Sequence, residues 1–292
     1  MTVLITGADG QLARALHARM SAQKNVVAVT RAQLDITDYD SVIEAVRELH
    51  PDVIVNGAAY NDVDGAEDCP AAALSVNAFG VRALARAARS VGATLVHFST
   101  DFVFDGTADE PYTEEIPPNP QSVYATSKLL GEWFASEADH YVLRVESLFG
   151  GSASSHGDGR PRGSSVDRMA NAILSDREVR AFDDRTVSPS FVEDVAHATL
   201  ALLQTRAPFG LYHCVGSGMG TWVDVVQELA RHLDRSAHII PVQMSNFDMK
   251  ANRPKFCALS NAKLASVGIS MPTWQDALSR FAAGRLVANS PT

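Results

Sequence analysis

The stretch TVLITGADGQLARAL, residues 2–16, decides how the rest of the chain is read. A short run rich in β-branched residues, without alternation of polar and apolar positions, leads into Gly7 and Gly10. Beyond them apolar residues recur at three- and four-residue spacing. A strand buried on both faces lacks alternation, and a glycine turn opening a helix brings peptide N–H groups toward an anion. Gly7 and Gly10 would let the backbone approach a pyrophosphate, and Ala13 keeps the third position small enough for close helix–strand packing. A tight strand–helix turn without a ligand is the plainer alternative. The place of the pair, at the first strand-to-helix junction, favours nucleotide binding.

Working outward, NVVAVT (25–30), DVIVNGAA (52–59) and ATLVHFS (93–99) read as further strands. LARALHARM, DYDSVIEAVRELH and PAAALSVNAFGVRALARAARS carry helical spacing between them. Strand–helix–strand repetition implies parallel strands joined by right-handed crossovers. The expected fold is therefore α/β, a doubly wound parallel sheet of Rossmann-like type, with residues 1–150 as the dinucleotide-binding domain. The character changes at GGSASSHGDGRPRG (150–163), a Gly/Ser-rich stretch expected to be a mobile loop and, from its position, a lid over substrate. Helices are expected around 164–175, 191–205, 220–234 and 273–283, with short strands at LYHCVG and HIIPV. Residues 151–292 would form mainly a smaller C-terminal substrate lobe, some segments returning to the main sheet.

The 292 residues are 46% hydrophobic and 20% charged, with a net charge of −9 and a pI near 5.4. An acidic surface offers nothing to nucleic acid or anionic lipid, and no apolar run is long enough to cross a bilayer. Cys69, Cys214 and Cys257 are odd in number and far apart in sequence, so they read as reduced thiols in a cytoplasmic protein and not as metal ligands. The first strand begins almost at Met1, which leaves no room for a signal peptide.

An NAD-preferring site usually ends its second strand in a carboxylate that holds the ribose hydroxyls. Here Thr30 and Arg31 stand there. A neutral residue followed by a guanidinium tolerates a phosphate dianion, which favours NADPH and leaves NADH possible, although Arg31 could equally be a solvated strand-end charge.

The chain has only six tyrosines and five lysines, yet QSVYATSKLLGEW places Tyr124 four residues ahead of Lys128. On a helix the two share a face. A neighbouring ammonium is expected to lower the phenol's pKa and make it a competent proton donor to a developing alkoxide. A third group must fix the substrate carbonyl. In HFSTDFVFDG, at the end of the fourth strand, Thr100 is the choice, with Ser99 turned toward the sheet.

Strand–TGxxG–helix, a Ser/Thr at the end of strand four and YxxxK together resemble the extended short-chain dehydrogenase/reductases. A narrower resemblance covers most of the chain. GADGQL, LDITD, NGAAYNDVDGAE, VNAFG, STDFVFDG, PYTEEIPPNPQSVYATSKLLGE, SPSFVEDVA and RPKFCALSNAKL are similar, in order, to the dTDP-4-dehydrorhamnose reductase family. The resemblance implies that Gly10, Gln11 and Leu12 contact the cofactor, with Asp35 and Ile36 beside the adenine. It places Ala58, Ala59 and Tyr60 along the ribose and nicotinamide, and Thr100 and Asp101 against the substrate sugar. Tyr124 and Lys128 would serve both cofactor and chemistry. The implied reaction is hydride transfer to the C4 ketone of a nucleotide-linked 6-deoxyhexose, most simply dTDP-4-dehydrorhamnose to dTDP-rhamnose. Arg253, in NRP, would clamp the substrate diphosphate, or else be a surface arginine before a turn proline. A homodimer is possible.

The chain departs from the family where a pattern like LRTSWVYG becomes LRVESLFG. Glu146 and Ser147 replace a serine and a tryptophan, removing an aromatic platform beside the sugar. Ala125 replaces the usual glycine after the tyrosine. A sugar-nucleotide dehydratase needs an acidic pair directly after the threonine, and Asp101 is followed by Phe102, so the second carboxyl group is missing. A 4-epimerase usually lacks TDFVFDG. The non-catalytic alternative is an NADP-binding regulatory subunit similar to the β-subunit of methionine adenosyltransferase. Of the remaining signals, His97 reads as a packed or paired imidazole, DVDGAED (62–68) as a solvated loop, and Trp133 and Trp222 as packing residues.

Overall fold

A computed structural model describes residues 1–22, 24–151 and 163–288. The first part contains β1 (Thr2–Thr6), α1 (Gln11–Ser21), β2 (Asn25–Val29), α2 (Tyr39–Leu49), β3 (Val53–Asn56), α3 (Val63–Asp68), α4 (Pro70–Leu74), α5 (Val81–Val91) and β4 (Thr94–Thr100). A π-helical segment, Ser75–Gly80, joins α4 to α5. There follow α6 (Val123–Ala135), β5 (His140–Val145), β6 (Leu148–Phe149), α7 (Ser165–Leu174), β7 (Val179–Phe182), β8 (Thr186–Val187) and β9 (Ser190–Phe191). The last elements are α8 (Val192–Thr205), β10 (Gly210–His213), β11 (Gly220–Thr221), α9 (Trp222–His232), β12 (Ile239–Val242), α10 (Ala262–Ser266) and α11 (Trp274–Ala288).

Among the described residues, six strands form one sheet in the order β2-β1-β3-β4-β5-β10, every neighbouring pair parallel. The lack of alternation in the strand sequences has a direct cause. Val3 and Ile5 of β1 enter a core shared with Leu12 and Leu16 of α1 and Val195 of α8, while Leu4 enters one shared with Val42 of α2 and Leu84 of α5. Both faces of the sheet are covered, so the central positions of β1 are apolar on both sides. The doubly wound parallel sheet expected from the sequence is present. Its chain order reverses at β1, which has β2 on one side and β3 on the other, and open α/β sheets bind ligands at such a switch point.

The chain beyond residue 150 serves two places. LYHCVG supplies β10, which extends the main sheet beside β5, and α8 lies over α1. Phe149, α7, β7, α9 and α11 close a separate core around Trp222, Trp274 and Phe281, and HIIPV supplies β12, paired to β7 outside the main sheet. The loop expected at 150–163 lies, but for its ends, outside the described residues. Among the described residues no helix is long and apolar enough to cross a membrane.

Two readings of the sequence are corrected. DVDGAED is not a loop: the Asp62 side chain accepts a hydrogen bond from the Gly65 N–H at 2.9 Å and caps α3. Two of its four acids are ion-paired, Asp64 with Arg253 and Asp68 with Lys250. Trp133 is 60% exposed, because the buried face of α6 is carried by Lys128, Leu129, Gly131 and Glu132.

That face docks closely. A Cβ on Gly131 would collide with the Asn77 carbonyl oxygen and lie 3.1 Å from His97 Nε2. One residue on, Glu132 takes a bidentate pair from Arg144 of β5, Nε at 2.8 Å and Nη2 at 2.7 Å, and the hydroxyl of Ser99 from β4. A glycine-to-alanine change inside a helix ordinarily adds about 1 kcal/mol of stability. At Gly131 the sign reverses, because the obstacle is backbone. Gly131→Ala is expected to lower stability by roughly 1–3 kcal/mol, read as a lower urea midpoint at unchanged m-value; a raised midpoint would refute the close-docking argument.

Candidate active site

At the carboxyl ends of β1, β3 and β4 lies a cavity of about 530 Å³. Gly7 closes the turn after β1 at φ +66°, where a side chain is strained, and a Cβ there would stand 2.6 Å from the Ala58 nitrogen. Gly10 precedes α1 in extended conformation and offers no side-chain cap. The first peptide N–H groups of α1 are therefore left for a ligand, and Gly10, Gln11, Leu12 and Ala13 line the cavity. These features fit a dinucleotide pyrophosphate. On the β3 side, Asn56 Oδ1 accepts from Thr6 Oγ1 at 2.7 Å and from the Ala58 N–H at 3.1 Å, fixing the Gly57–Ala59 wall. Its Nδ2 is left to donate to His97 Nδ1 at 3.1 Å, so the imidazole is the paired group expected, and burial keeps it neutral.

Thr100, Asp101, Tyr124 and Lys128 line the opposite wall. Ser122, two residues before the tyrosine, caps α6 by accepting from the Ala125 N–H at 3.2 Å. Tyr124 and Lys128 then share the face turned to the cavity, the phenol beside the Thr100 hydroxyl. Ser99 does turn away, to Glu132. The pKa argument from sequence is overturned. Burial and the charge of Asp101 push the Tyr124 phenol up in the ligand-free protein, while burial brings the Lys128 ammonium down to about 8. Lys128 Nζ donates to the Phe98 carbonyl, so the lysine faces the strand and does not acidify the phenol.

Gly7, Arg31, Asp35, Ile36 and Tyr60 lie beyond the residues that line this cavity. Arg31 is largely exposed and its Nε donates to Asp35 Oδ2 at 3.0 Å, so a carboxylate does stand near the end of β2. Ile36 is buried against Gly80. The Tyr60 backbone is held on both sides by Asn77, at 2.8 and 3.0 Å. Arg253 is corrected: its guanidinium forms a two-pronged pair with Asp64 at 2.9 and 2.8 Å and does not line the cavity. Arg168 and Arg185 line it instead, and both also line an adjoining cavity of about 320 Å³ with Phe182 and Trp222. Sequence spacing gave no signal for either arginine. Trp222, read as packing, both packs and walls the cavities.

Phe102 does follow Asp101, and a second carboxyl reaches the same place from elsewhere in the chain. Glu146 comes from the end of β5, not from the position after Asp101, and its donor atoms and those of Asp101 and Cys257 lie within 4.8 Å of one another. Cys257 is thus not isolated. Arg185 supplies positive charge to this buried group, its Nη2 donating to Cys257 Sγ at 3.5 Å.

Against known proteins, the model of the RmlD substrate binding domain family matches residues 1–286. A dTDP-4-dehydrorhamnose reductase of Mycobacterium tuberculosis is 36% identical over 288 residues, 94% of this chain and 90% of that protein. The chain belongs to the dTDP-4-dehydrorhamnose reductase family. Two solved structures of such reductases superpose with a TM-score of 0.89. That from Clostridium acetobutylicum is 32% identical, with 98% of this chain and 100% of that one covered. That from Bacillus anthracis, in complex with NADP, is 31% identical, with 97% and 99% covered. A UDP-glucose 4-epimerase of Thermus thermophilus, 22% identical, shares the fold.

Lys128 lets the site's electrostatics be tested without turnover. Its folded pKa, about 8, lies below the ordinary 10.5, so between these values the unfolded chain binds more protons than the folded one. The penalty of burying the ammonium is complete below pH 8 and disappears as pH rises toward 10.5. Lys128→Met is expected to stabilise the ligand-free protein at pH 7 by on the order of 1–3 kcal/mol. The gap in melting temperature should shrink with pH across that interval. A gap independent of pH would refute the burial argument.

Proposed function

We propose that the chain reduces the C4 ketone of a nucleotide-linked 4-keto-6-deoxyhexose with NADPH, dTDP-4-dehydrorhamnose to dTDP-rhamnose being the reaction its family suggests. The carrying observation is that one cavity joins the uncapped start of α1 to Thr100, Tyr124 and Lys128. A bound dihydronicotinamide supplies the hydride. The residues do the rest. Ala58 and Ala59 leave a smooth wall for the ribose and ring, Thr100 hydrogen-bonds the ketone oxygen, and Tyr124 gives that oxygen a proton as negative charge grows on it. Lys128 is the buried cation that a ribose hydroxyl would meet beside the phenol. Arg168 and Arg185, at the junction of the two cavities, are the groups placed to hold the substrate diphosphate, and Phe182 and Trp222 offer aromatic faces to its base. The second core, around α7, α9 and α11, is thereby the substrate lobe.

The deciding experiment is purified protein with NADPH and dTDP-4-dehydrorhamnose. Loss of NADPH absorbance that depends on the sugar nucleotide supports the reductase reading; tight cofactor binding with no turnover favours the regulatory one. Tyr124→Phe should lower kcat by at least about a hundredfold with the KM for NADPH little changed. Arg31→Ala should raise the KM for NADPH about tenfold and leave that for NADH nearly constant, as the loss of one charge-assisted contact to a ribose phosphate requires. Equal effects on both cofactors would remove Arg31 from the site.

A further inference from the structure

Behind Thr100 lies a group of ionisable side chains of which the reaction just described uses only Arg185. Asp101 follows the end of β4, Glu146 follows the end of β5, Arg185 comes from the link between β7 and β8, and Cys257 from the segment ahead of α10. All four are buried. Asp101 Oδ2 has no hydrogen-bond partner among the described residues and faces the Cys257 thiol. Arg185 stacks its guanidinium over the Phe102 ring, 5.3 Å from the centroid. Two carboxylates beside one guanidinium leave one negative charge in excess, and an excess charge in a closed interior costs several kcal/mol, on the order of one whole desolvation penalty. Neutrality is reached when the pair keeps one proton. Burial raises both carboxyls, and the nearby Asp101 raises Glu146 further.

This group is wired to the chemistry at both ends. On one side Thr100 Oγ1 donates to Asp101 Oδ1 at 3.0 Å, and the same hydroxyl adjoins the Tyr124 phenol. On the other, Ser147 Oγ donates to Glu146 Oε1 at 3.1 Å, and Ser147 lines the cavity. The Ser188 N–H donates to the second Glu146 oxygen and fixes the carboxyl in place. Ser147 is held at φ +43°, a left-handed conformation that disfavours a residue with a side chain, so its hydroxyl is kept there against a backbone cost.

We propose that Asp101 and Glu146 hold one proton between them and return it to Tyr124 through the Thr100 hydroxyl, while Ser147 reloads Glu146 from the cavity. The need to refill Tyr124 rests on the reductase reading; the shared proton does not. As the phenol's proton bonds to the ketone oxygen, Thr100 gives its hydroxyl proton to the phenolate and takes one from Asp101. A single water between the carboxyls, whose oxygens lie within 4.8 Å of one another, takes the proton of Glu146 as it gives one of its own to Asp101, and Glu146 regains a proton from solvent by way of Ser147. The sum is one proton from water to the product alcohol, with no electron moved along the relay. Asp101 and Glu146 are positioning and proton-storing groups, and the hydride comes from the dihydronicotinamide.

Infrared spectroscopy of the ligand-free protein in D₂O at neutral pH should show the C=O stretch of a protonated carboxyl group, lost in Glu146→Gln, where Asp101 ionises against Arg185. Absence of that band in the wild type, or its persistence in Glu146→Gln, overturns the shared proton. With NADPH and the keto sugar, Glu146→Gln should lower kcat at least about tenfold and shift its pH profile, with the KM for NADPH unchanged. Ser147→Ala, which keeps the carboxyl band, should enlarge the solvent isotope effect on kcat. A wild-type pH profile in Glu146→Gln overturns the relay while the reductase reading stands. A wild type that reduces no keto sugar overturns the reductase reading and the refilling with it, while the band still decides the shared proton.

Discussion

The chemistry is placed by one buried ion pair. Glu132, four residues beyond Lys128 on α6, meets Arg144 of β5 in a two-pronged bridge and takes the Ser99 hydroxyl from β4. Three elements are tied at the level where their ends form the cavity wall. Arg144 also lies over the Phe104 ring, 4.9 Å from its centroid, which packs it against the chain that follows Thr100. A pair of this kind adds little net stability against an apolar alternative, but removal of one partner leaves a bare charge in the core. Its effect is on register. An apolar contact would let α6 slide by a fraction of a turn, whereas two parallel N–H···O bonds do not, and Tyr124 and Lys128 keep their heights relative to Thr100.

Given that placement, the energetics of the proposed site are those of ionisable groups held out of water. Burial works against the Lys128 ammonium, the Tyr124 phenolate and the Glu146 carboxylate together. A cavity so arranged is unfavourable to charge until something inside it carries the opposite sign. For the Lys128 ammonium, phosphates at the start of α1 and oxyanion character at the ketone are such charges. The intrinsic cost of the site is therefore offset by ligand, and reducing that cost by mutation stabilises the chain at the expense of what the cavity can do.

What was legible in the sequence follows from distance along the chain. The parallel sheet, the turn at Gly7 and Gly10, the Tyr124–Lys128 pair and Thr100 are all local patterns, where spacing fixes geometry through the pitch of a helix or the end of a strand. Arg168, Arg185 and the partnership of Asp101 with Glu146 are contacts between segments far apart in sequence, and no period announces them. Asp64 shows the same limit from the other side. Within DVDGAED it looks like one solvated acid among several, and only the fold brings Arg253 onto it, which takes that arginine away from the cavity. The phenol's pKa failed for a different reason. Helical spacing says that a lysine is near, but not that both groups are dry, and desolvation outweighs proximity here.

The departure from the family pattern at Glu146 and Ser147 brings a carboxyl into the buried group that Arg185 and Cys257 also occupy. A glutamate buried alone at the end of β5 would carry a desolvation penalty that no single hydrogen bond offsets. Arg185 balances its charge, the Ser188 N–H and Ser147 hydroxyl fill its oxygens, and Cys257 is small enough to admit the guanidinium. Exchange of any one member without the others leaves a buried ion or an unfilled donor, so these positions should substitute as a set. Where the aromatic residue of the family pattern would have offered an apolar face to the sugar, this set offers hydroxyl and guanidinium donors next to Thr100.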